Sequence, residues 1–318
     1  MTNFLNTPFS LNSLTLPNRL IQGPLAGYSC APFRELFSLF SAPAYCVSEM
    51  LSAQDVLHKH KNNERYLFRS PNENLLCYQI AGNEPTTMAA AAHKLASLGA
   101  NIIDINCGCP KHKIRKKGAG SALLEQPEQL IKIISAVRLS INIPLTVKIR
   151  LQEEETVNIE LAKKIADAGA DALIVHGRRW YDAYDIPCNL KQIRAIKQAV
   201  TIPIIVNGDL KNNQTVLAAV HETGCDAFMI ARAGSGKPWL FQEILTNNVT
   251  KLEKNQLIEL FMLHLNGLFK LENEYKAVLQ SRSLVRYYFK NTLPSQHLPA
   301  FYELTKLDDI AAFLKNSL

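Results

Sequence analysis

The stretch LTVKIRLQEEETVNIELAKKIADAGADALIVH, residues 145–176, holds one complete structural unit. It opens on an apolar run (145–149), passes into a helical pattern (158–168), stops at Gly169 and returns to an apolar run (172–176). The runs are continuously apolar and do not alternate, as parallel strands covered on both faces do. Working outward from this unit, the same rhythm predicts strands at 19–23, 45–49, 75–81, 102–106, 203–207 and 227–231. Helical patterns fall between most of them, at 86–98, 127–140, 190–198 and 213–223, and Gly99, Gly169 and Gly224 read as helix stops.

Eight such units in roughly 240 residues is the size and rhythm of a (β/α)8 TIM barrel. The competing doubly wound sheet normally has fewer strands, and its G-x-G-x-x-G turn after the first strand is missing. After Ala233-Gly234-Ser235-Gly236-Lys237-Pro238 the strand rhythm ends. Helical patterns at 257–271 and 275–290, broken by a turn at 293–299, then predict a small all-α domain. The division expected is a barrel over 1–245 and a helical domain over 246–318.

The bulk properties suit a cytoplasmic enzyme. Hydrophobic residues make up 47% and charged residues 20% of the 318, the balance of an ordinary globular chain. The opening residues lack a basic segment followed by an apolar core, and no run approaches the roughly 18 apolar residues of a membrane span. Seven scattered cysteines, with Cys46 and Cys77 inside apolar runs, read as reduced thiols and not as a disulfide framework. The net charge of +7 suits a polyanionic partner. It is clustered in two places: KHKIRKK at 111–117, and Arg282, Arg286 and Lys290 at a spacing of four.

In a barrel the active site lies at the carboxyl ends of the strands. Those ends supply Pro24-Leu25-Ala26-Gly27, Glu49, Gln79, Asn106 to Pro110, Lys148 with Arg150, His176-Gly177-Arg178, Asn207-Gly208-Asp209 and Ala231-Arg232. Gln79, Lys148 and His176 stand where a purely structural strand would carry Val or Ile. The ends of strands seven and eight form the usual phosphate corner, where backbone N–H groups and Arg232 can meet an anion. With Lys148 nearer the middle, the pattern fits a flat phosphorylated cofactor such as FMN, and equally a phosphosugar substrate. Cys107 and Cys109 with His112 resemble half a zinc site, but no second pair at ligand spacing completes it. Cys107 reads as a small buried thiol. Cys109, between Gly108 and Pro110 beyond the strand, can point into the mouth as a proton donor or nucleophile.

At these residues the chain resembles the bacterial tRNA-dihydrouridine synthases, closest to the B-type branch, over nearly its whole length. The matching motifs are GPLAG (23–27), VSEMLS (47–52), QIAGNEP (79–85), IIDINCGCPKHKIRKKGAGSALL (102–124), LTVKIR (145–150), VHGR (175–178) and IIVNGDL (204–210). The resemblance implies FMN as prosthetic group, NADPH as reductant and tRNA as partner, the reaction being reduction of C5=C6 of a D-loop uridine. It implies Cys109 as general acid. It places Pro24, Leu25, Ala26, Gln79, Lys148, His176, Asn207, Gly208, Asp209, Ala231 and Arg232 on the cofactor, and Asn106, Lys113, Arg178, Arg282 and Arg286 towards the substrate. No protein partner is implied, and a monomer suffices. The chain departs from the family pattern at GPLAG for APMAG, Arg179-Trp180 after His-Gly-Arg, and Ala231-Arg232 for Gly-Arg. It departs again at Ser29-Cys30 for Thr-Asp, and at Arg282-Ser283-Leu284 for Arg-Lys-His. Two other readings of the chain are a flavin barrel reducing a small pyrimidine or enone, and a tRNA-binding protein without catalysis.

Overall fold

A computed structural model of the chain describes residues 2–58, 63–73 and 75–318. Eight parallel strands close on themselves: β1 (Leu20–Gln22), β2 (Tyr45–Val47), β3 (Leu76–Ala81), β4 (Ile102–Cys107), β5 (Leu145–Arg150), β6 (Ala172–His176), β7 (Ile204–Asn207) and β8 (Ala227–Ile230). Each pairs with its chain neighbour, and β8 pairs with β1, so the ring has no open edge. The TIM barrel expected from the sequence is therefore present. Helices cover its outside, and the three glycine stops lie at positive φ (89°, 102° and 62°).

Successive strand side chains point to opposite faces, and this alternation sorts the barrel into layers. The outward residues, such as Tyr78 and Ile80 of β3, Ile103, Ile105 and Cys107 of β4, and Val147 and Ile149 of β5, pack against Met88, Leu95, Ile133 and Val137 of the helices. Inward residues near the amino ends of the strands, among them Ile21, Cys77, Ile102, Ile174 and Ile205, form a second apolar cluster with Phe9, Leu11 and Leu16. The last three belong to an N-terminal hairpin (Phe9–Leu11 with Leu14–Leu16), which thus plugs the amino end of the barrel. Towards the carboxyl ends the inward positions turn polar: Gln79, Asp104, Asn106, Thr146, Lys148, Arg150, His176 and Asn207.

Two local departures have physical reasons. The second strand ends at Val47, not Glu49, because the Glu49 carboxylate turns to accept the Gly27 N–H at 2.5 Å. The chain then rejoins the ladder as a short strand (Leu51–Ser52) on Ile80–Ala81 of β3. In the tail, the helix expected to reach Lys290 ends at Tyr288, because Phe289 (φ −115°, ψ 24°) leaves the helical region. Lys290 is therefore off the helix that carries Arg282 and Arg286.

The tail helices Lys254–Leu271, Glu274–Tyr288 and Leu307–Ser317 bury Phe261, Leu265, Leu284, Val285 and Ile310 in a cluster of their own. That cluster also takes Cys30, Leu36 and Trp239 from the barrel's side. Helix Leu240–Thr246 packs Leu240, Phe241 and Ile244 into the barrel's outer layer, and Asn247 at φ 56° redirects the chain into the tail. All seven cysteines are free, with only Cys109 and Cys188 partly exposed. Among the described residues, no helix is long and apolar enough to cross a membrane.

Barrel and tail meet closely at Gly236, which sits at φ 67°, where a Cβ would stand 2.6 Å from the Tyr287 carbonyl carbon. An L side chain is strained in that backbone region, and the backbone of a packed helix yields little. Gly236→Ala is expected to destabilise the protein by about 1–3 kcal/mol, read as a lower urea midpoint. An unchanged midpoint would refute the contact.

Candidate active site

The polar inward positions form two hydrogen-bonded groups across the mouth of the barrel. The first starts at Asp104, whose carboxylate is fully buried. Thr146 Oγ1 donates to Asp104 Oδ1 at 2.6 Å, and Gln79 Nε2 donates to Oδ2 at 2.7 Å. With its amide nitrogen so committed, Gln79 presents Oε1 to Asn106 Nδ2 at 2.8 Å. Asn106 in turn presents Oδ1 to the backbone N–H groups of Gly108 (3.2 Å) and Cys109 (2.9 Å). Burial holds the Asp104 carboxyl above the usual carboxylate range, against the pull of Thr146, Gln79 and Lys148.

The second group centres on Asn207. Its Nδ2 donates to the Met229 carbonyl at 2.9 Å, which leaves Oδ1 to accept from Lys148 Nζ at 2.8 Å and from His176 Nδ1 at 3.0 Å. An amide oxygen only accepts, so the His176 proton is on Nδ1 and Nε2 carries a lone pair. Burial, then Lys148, Arg150 and Arg178, hold the His176 pKa down to about 2, so the ring is neutral. Burial and the neighbouring Arg150 likewise lower Lys148.

Among the described residues, one buried acceptor at the mouth has no partner, His176 Nε2; a second orphan, Gln22 Oε1, lies on the outer face of the barrel beside Ile230 and Cys46, under the Gly234 turn. Gln22 closes β1, and its Nε2 donates to Gly23 O at 2.9 Å and to Ala231 O at 3.3 Å. Buried polar atoms are normally satisfied, so an orphaned acceptor at a cleft points to a ligand that brings a donor. A flat heterocycle with N–H and carbonyl groups along one edge fits this acceptor together with the Lys148 ammonium.

The loops above the mouth are held by arginines. Arg150, only 6% exposed, donates from Nε to Gly108 O at 2.8 Å and from Nη1 to Arg179 O at 2.9 Å. The carbonyl of Cys109 accepts from both Ser121 N (3.1 Å) and Ser121 Oγ (3.0 Å). Ser121 Oγ also accepts from Arg115 Nη1 at 3.0 Å. Gly120, at φ 62°, comes so close that a Cβ would lie 2.8 Å from the Cys109 carbonyl oxygen. The Ala119-Gly120-Ser121 run is thus the clasp of the Cys109 loop, which leaves Cys109 itself partly exposed. Cys107, one alternation away, is wholly buried in the outer apolar layer.

Other residues singled out in the sequence are placed differently. Arg178 is 2% exposed and spent on its own loop, donating to Ile186 O, to Tyr184 O (2.9 Å), to Cys188 Sγ (3.2 Å) and to Asp209 (2.8 Å). It does not face the opening. The Asp209 side chain is taken by that ion pair and by Cys188 N–H (3.0 Å), and its backbone holds φ 54° beside Gly208. Ala231 leads into the turn Arg232–Gly234, and the Arg232 guanidinium lies 4.0 Å above the Tyr184 ring. Pro24, Leu25 and Ala26 follow β1 in a turn closed by Tyr28 N–H and Ser29 N–H on the Leu25 carbonyl, both at 3.0 Å. Lys113 is exposed on the short helix His112–Arg115. Arg282 is partly buried with Nε unpartnered, and Arg286 donates to Tyr302 Oη at 2.7 Å.

Sequence reasoning missed Gln22, Asp104 and Arg65. A polar residue two places before Asn106 in an apolar strand was a signal for Asp104. Nothing signalled Arg65, which joins Glu49 (3.1 Å) and Gly27 O (3.3 Å) at the barrel rim to Glu272 and Gln280 (3.4 Å) in the tail.

Comparison with known proteins agrees with this architecture. Residues 21–313 match the family profile described as dihydrouridine synthase (Dus). The chain is 38% identical over 287 residues to tRNA-dihydrouridine synthase B of Vibrio parahaemolyticus, covering 88% of this chain and 89% of that protein. It is 35% identical to the tRNA-dihydrouridine synthase B of Proteus vulgaris, covering 95% and 97%. Among solved structures, an old yellow enzyme homologue from Zymomonas mobilis shares the fold, with a TM-score of 0.59 at 14% identity over 78% of this chain and 94% of that one. A profile spanning barrel and tail, with relatives matched nearly end to end, establishes that the chain belongs to the dihydrouridine synthase family of flavin-dependent oxidoreductases.

Proposed function

We propose that the protein is an FMN-dependent tRNA-dihydrouridine synthase. It adds a hydride and a proton across C5=C6 of a D-loop uridine, with NADPH as the reductant. The observation that carries this reading is the chain Asp104–Gln79–Asn106–Cys109 N–H, which fixes a partly exposed thiol at the rim of a mouth with one orphaned acceptor, His176 Nε2. FMN held there would supply the hydride for C6. His176 Nε2 would receive an N–H donor of the cofactor, Lys148 would meet its electron-rich edge, and the Asn207-Gly208-Asp209 and Ala231-Arg232 turns would hold its phosphate. Cys109 Sγ–H gives its proton to C5, and the resulting thiolate recovers one from solvent, to which it is open. Asn106 and Gly120 hold the thiol-bearing loop still while this happens.

The target base has to leave its stack to reach the mouth. Exposed lysines at 111–117 lie next in sequence to Cys109 and meet the RNA backbone. On this reading residues 1–245 carry the chemistry and 246–318 orient the RNA through Arg282 and Arg286, in the cytoplasm. All the groups named come from one chain. Arg178 acts as the clamp of the β6 loop and makes no substrate contact.

Anaerobic reoxidation of the reduced flavin by unmodified tRNA, with dihydrouridine formed, is the direct test. Reoxidation by a free pyrimidine or enone but not by tRNA would assign a small-molecule reductase instead. Cys109→Ala is expected to keep the flavin spectrum and to lower turnover on tRNA by roughly 10²–10⁴-fold; near-normal turnover would remove Cys109 from the chemistry.

Lys148 gives a pH signature of determined sign. Burial lowers its pKa from the ordinary 10.5 in the cofactor-free protein, and contact with the cofactor favours the charged form. FMN affinity should therefore fall as pH rises through the lowered pKa. Over the same window the cofactor-free protein should gain stability, because the unfolded chain binds the extra proton. Titration of FMN between neutral and alkaline pH should show this slope, and Lys148→Met should flatten it. A slope that survives in the variant would assign it to another group.

A further inference from the structure

The loop after β6 departs from the family pattern at Arg179-Trp180, and the chemistry above makes no use of its rings. Trp180 is partly exposed, and Tyr181 and Tyr184 are 54% and 59% exposed. Each ring is backed by a guanidinium: Arg115 stands 3.7 Å from the Trp180 centroid, Arg179 4.8 Å from that of Tyr181, and Arg232 4.0 Å from that of Tyr184. The rings are held in place. Trp180 and Tyr181 meet edge to face at 5.4 Å, and Tyr181 Oη donates to Glu153.

The loop is also tied to the thiol. Arg150 bonds both Gly108 O, just before Cys109, and Arg179 O, just before Trp180. Arg115 stacks on Trp180 and bonds Ser121 Oγ, which donates to the Cys109 carbonyl. At the far end of the loop, Tyr184 reaches Arg232 beside the phosphate corner. Fixed aromatic faces therefore stand along the rim from the reacting loop to the cofactor loop.

The charge pattern says what these faces would take. Arg179 is neutralised by Glu153 (2.6 Å) and Asp182 (3.0 Å), so this rim is built for planar π surfaces more than for phosphates. Preorganised rings backed by arginine are how proteins hold unpaired bases. We infer that Trp180, Tyr181 and Tyr184 form a stacking platform for the unpaired RNA bases that flank the reacting uridine. This rests on the tRNA reading above, and the experiment separates the two.

The chain has two tryptophans, and the other, Trp239, is only 9% exposed and packed near Phe40. The holoenzyme carrying Trp239→Phe reports from Trp180 alone. Titrated with unmodified tRNA, and with binding followed separately by mobility shift, its emission should be quenched as the complex saturates. Trp180→Ala should weaken tRNA binding by roughly 5- to 150-fold, seen in KM more than in kcat, and Trp180→Phe should recover most of the loss. Binding with emission unchanged overturns the platform and leaves the reductase reading intact. A fall in kcat that Trp180→Phe does not recover also overturns it, by assigning Trp180 to the support of Arg115. Failure of the unaltered enzyme to bind tRNA overturns the tRNA reading itself.

Discussion

The Cys109 side of the barrel mouth depends on the burial of one carboxylate. Asp104 has no access to solvent, and an ionised group so placed has to be compensated by hydrogen bonds. Thr146 and Gln79 provide them, and in doing so lose their freedom to turn. The fixed Gln79 amide leaves Asn106 one orientation, and that orientation captures the backbone of Cys109. The course of the Cys109 loop is thus inherited, one amide at a time, from a charge two strand positions below Asn106. On the other side Met229 O plays the same part for Asn207, and through it for Lys148 and His176.

The arginines divide in a way that the net charge conceals. Arg34, Arg150 and Arg178 are each less than 10% exposed and bind loop carbonyls or buried carboxylates. Arg115, stacked on Trp180, and Arg65, bonded to Glu272, join loops from different parts of the chain. A guanidinium has five donors in a rigid fork, which suits it to joining several carbonyls at once. Much of the arginine charge is therefore structural, while exposed lysines are spread along the chain, with the run at 111–117 their densest cluster.

This also explains how far the sequence could be read. The eight strands were legible because each apolar run is continuous over a short length, and their polar ends because inward positions near the mouth interrupt those runs. The separation of Cys107 from Cys109 was legible too, as one lies within the strand and the other beyond it. What escaped depends on closure of the ring or on docking of the tail. Gln22 matters because β1 meets β8, and Arg65 matters because a tail helix approaches the β1 loop. The family resemblance set Arg178, after a strand-end histidine, towards the substrate. Its donors turn inward because the loop curls back over it, and local spacing carries no record of that. The helical row of basic residues lost Lys290 to a single non-helical backbone angle pair at Phe289.

Arg65 has one further consequence. It grips the rim through Glu49 and Gly27 and the tail through Glu272 and Gln280, while the Gly236 turn abuts the same tail helix from the barrel side. Two such fastenings remove the hinge that a linker would otherwise give. On the proposed reading the molecule then works as a calliper: one jaw is the basic helix, the other the Cys109 loop, and the gap is set when the chain folds. The choice of uridine becomes a matter of length, and a change of target would be sought in the joint and not in the pocket.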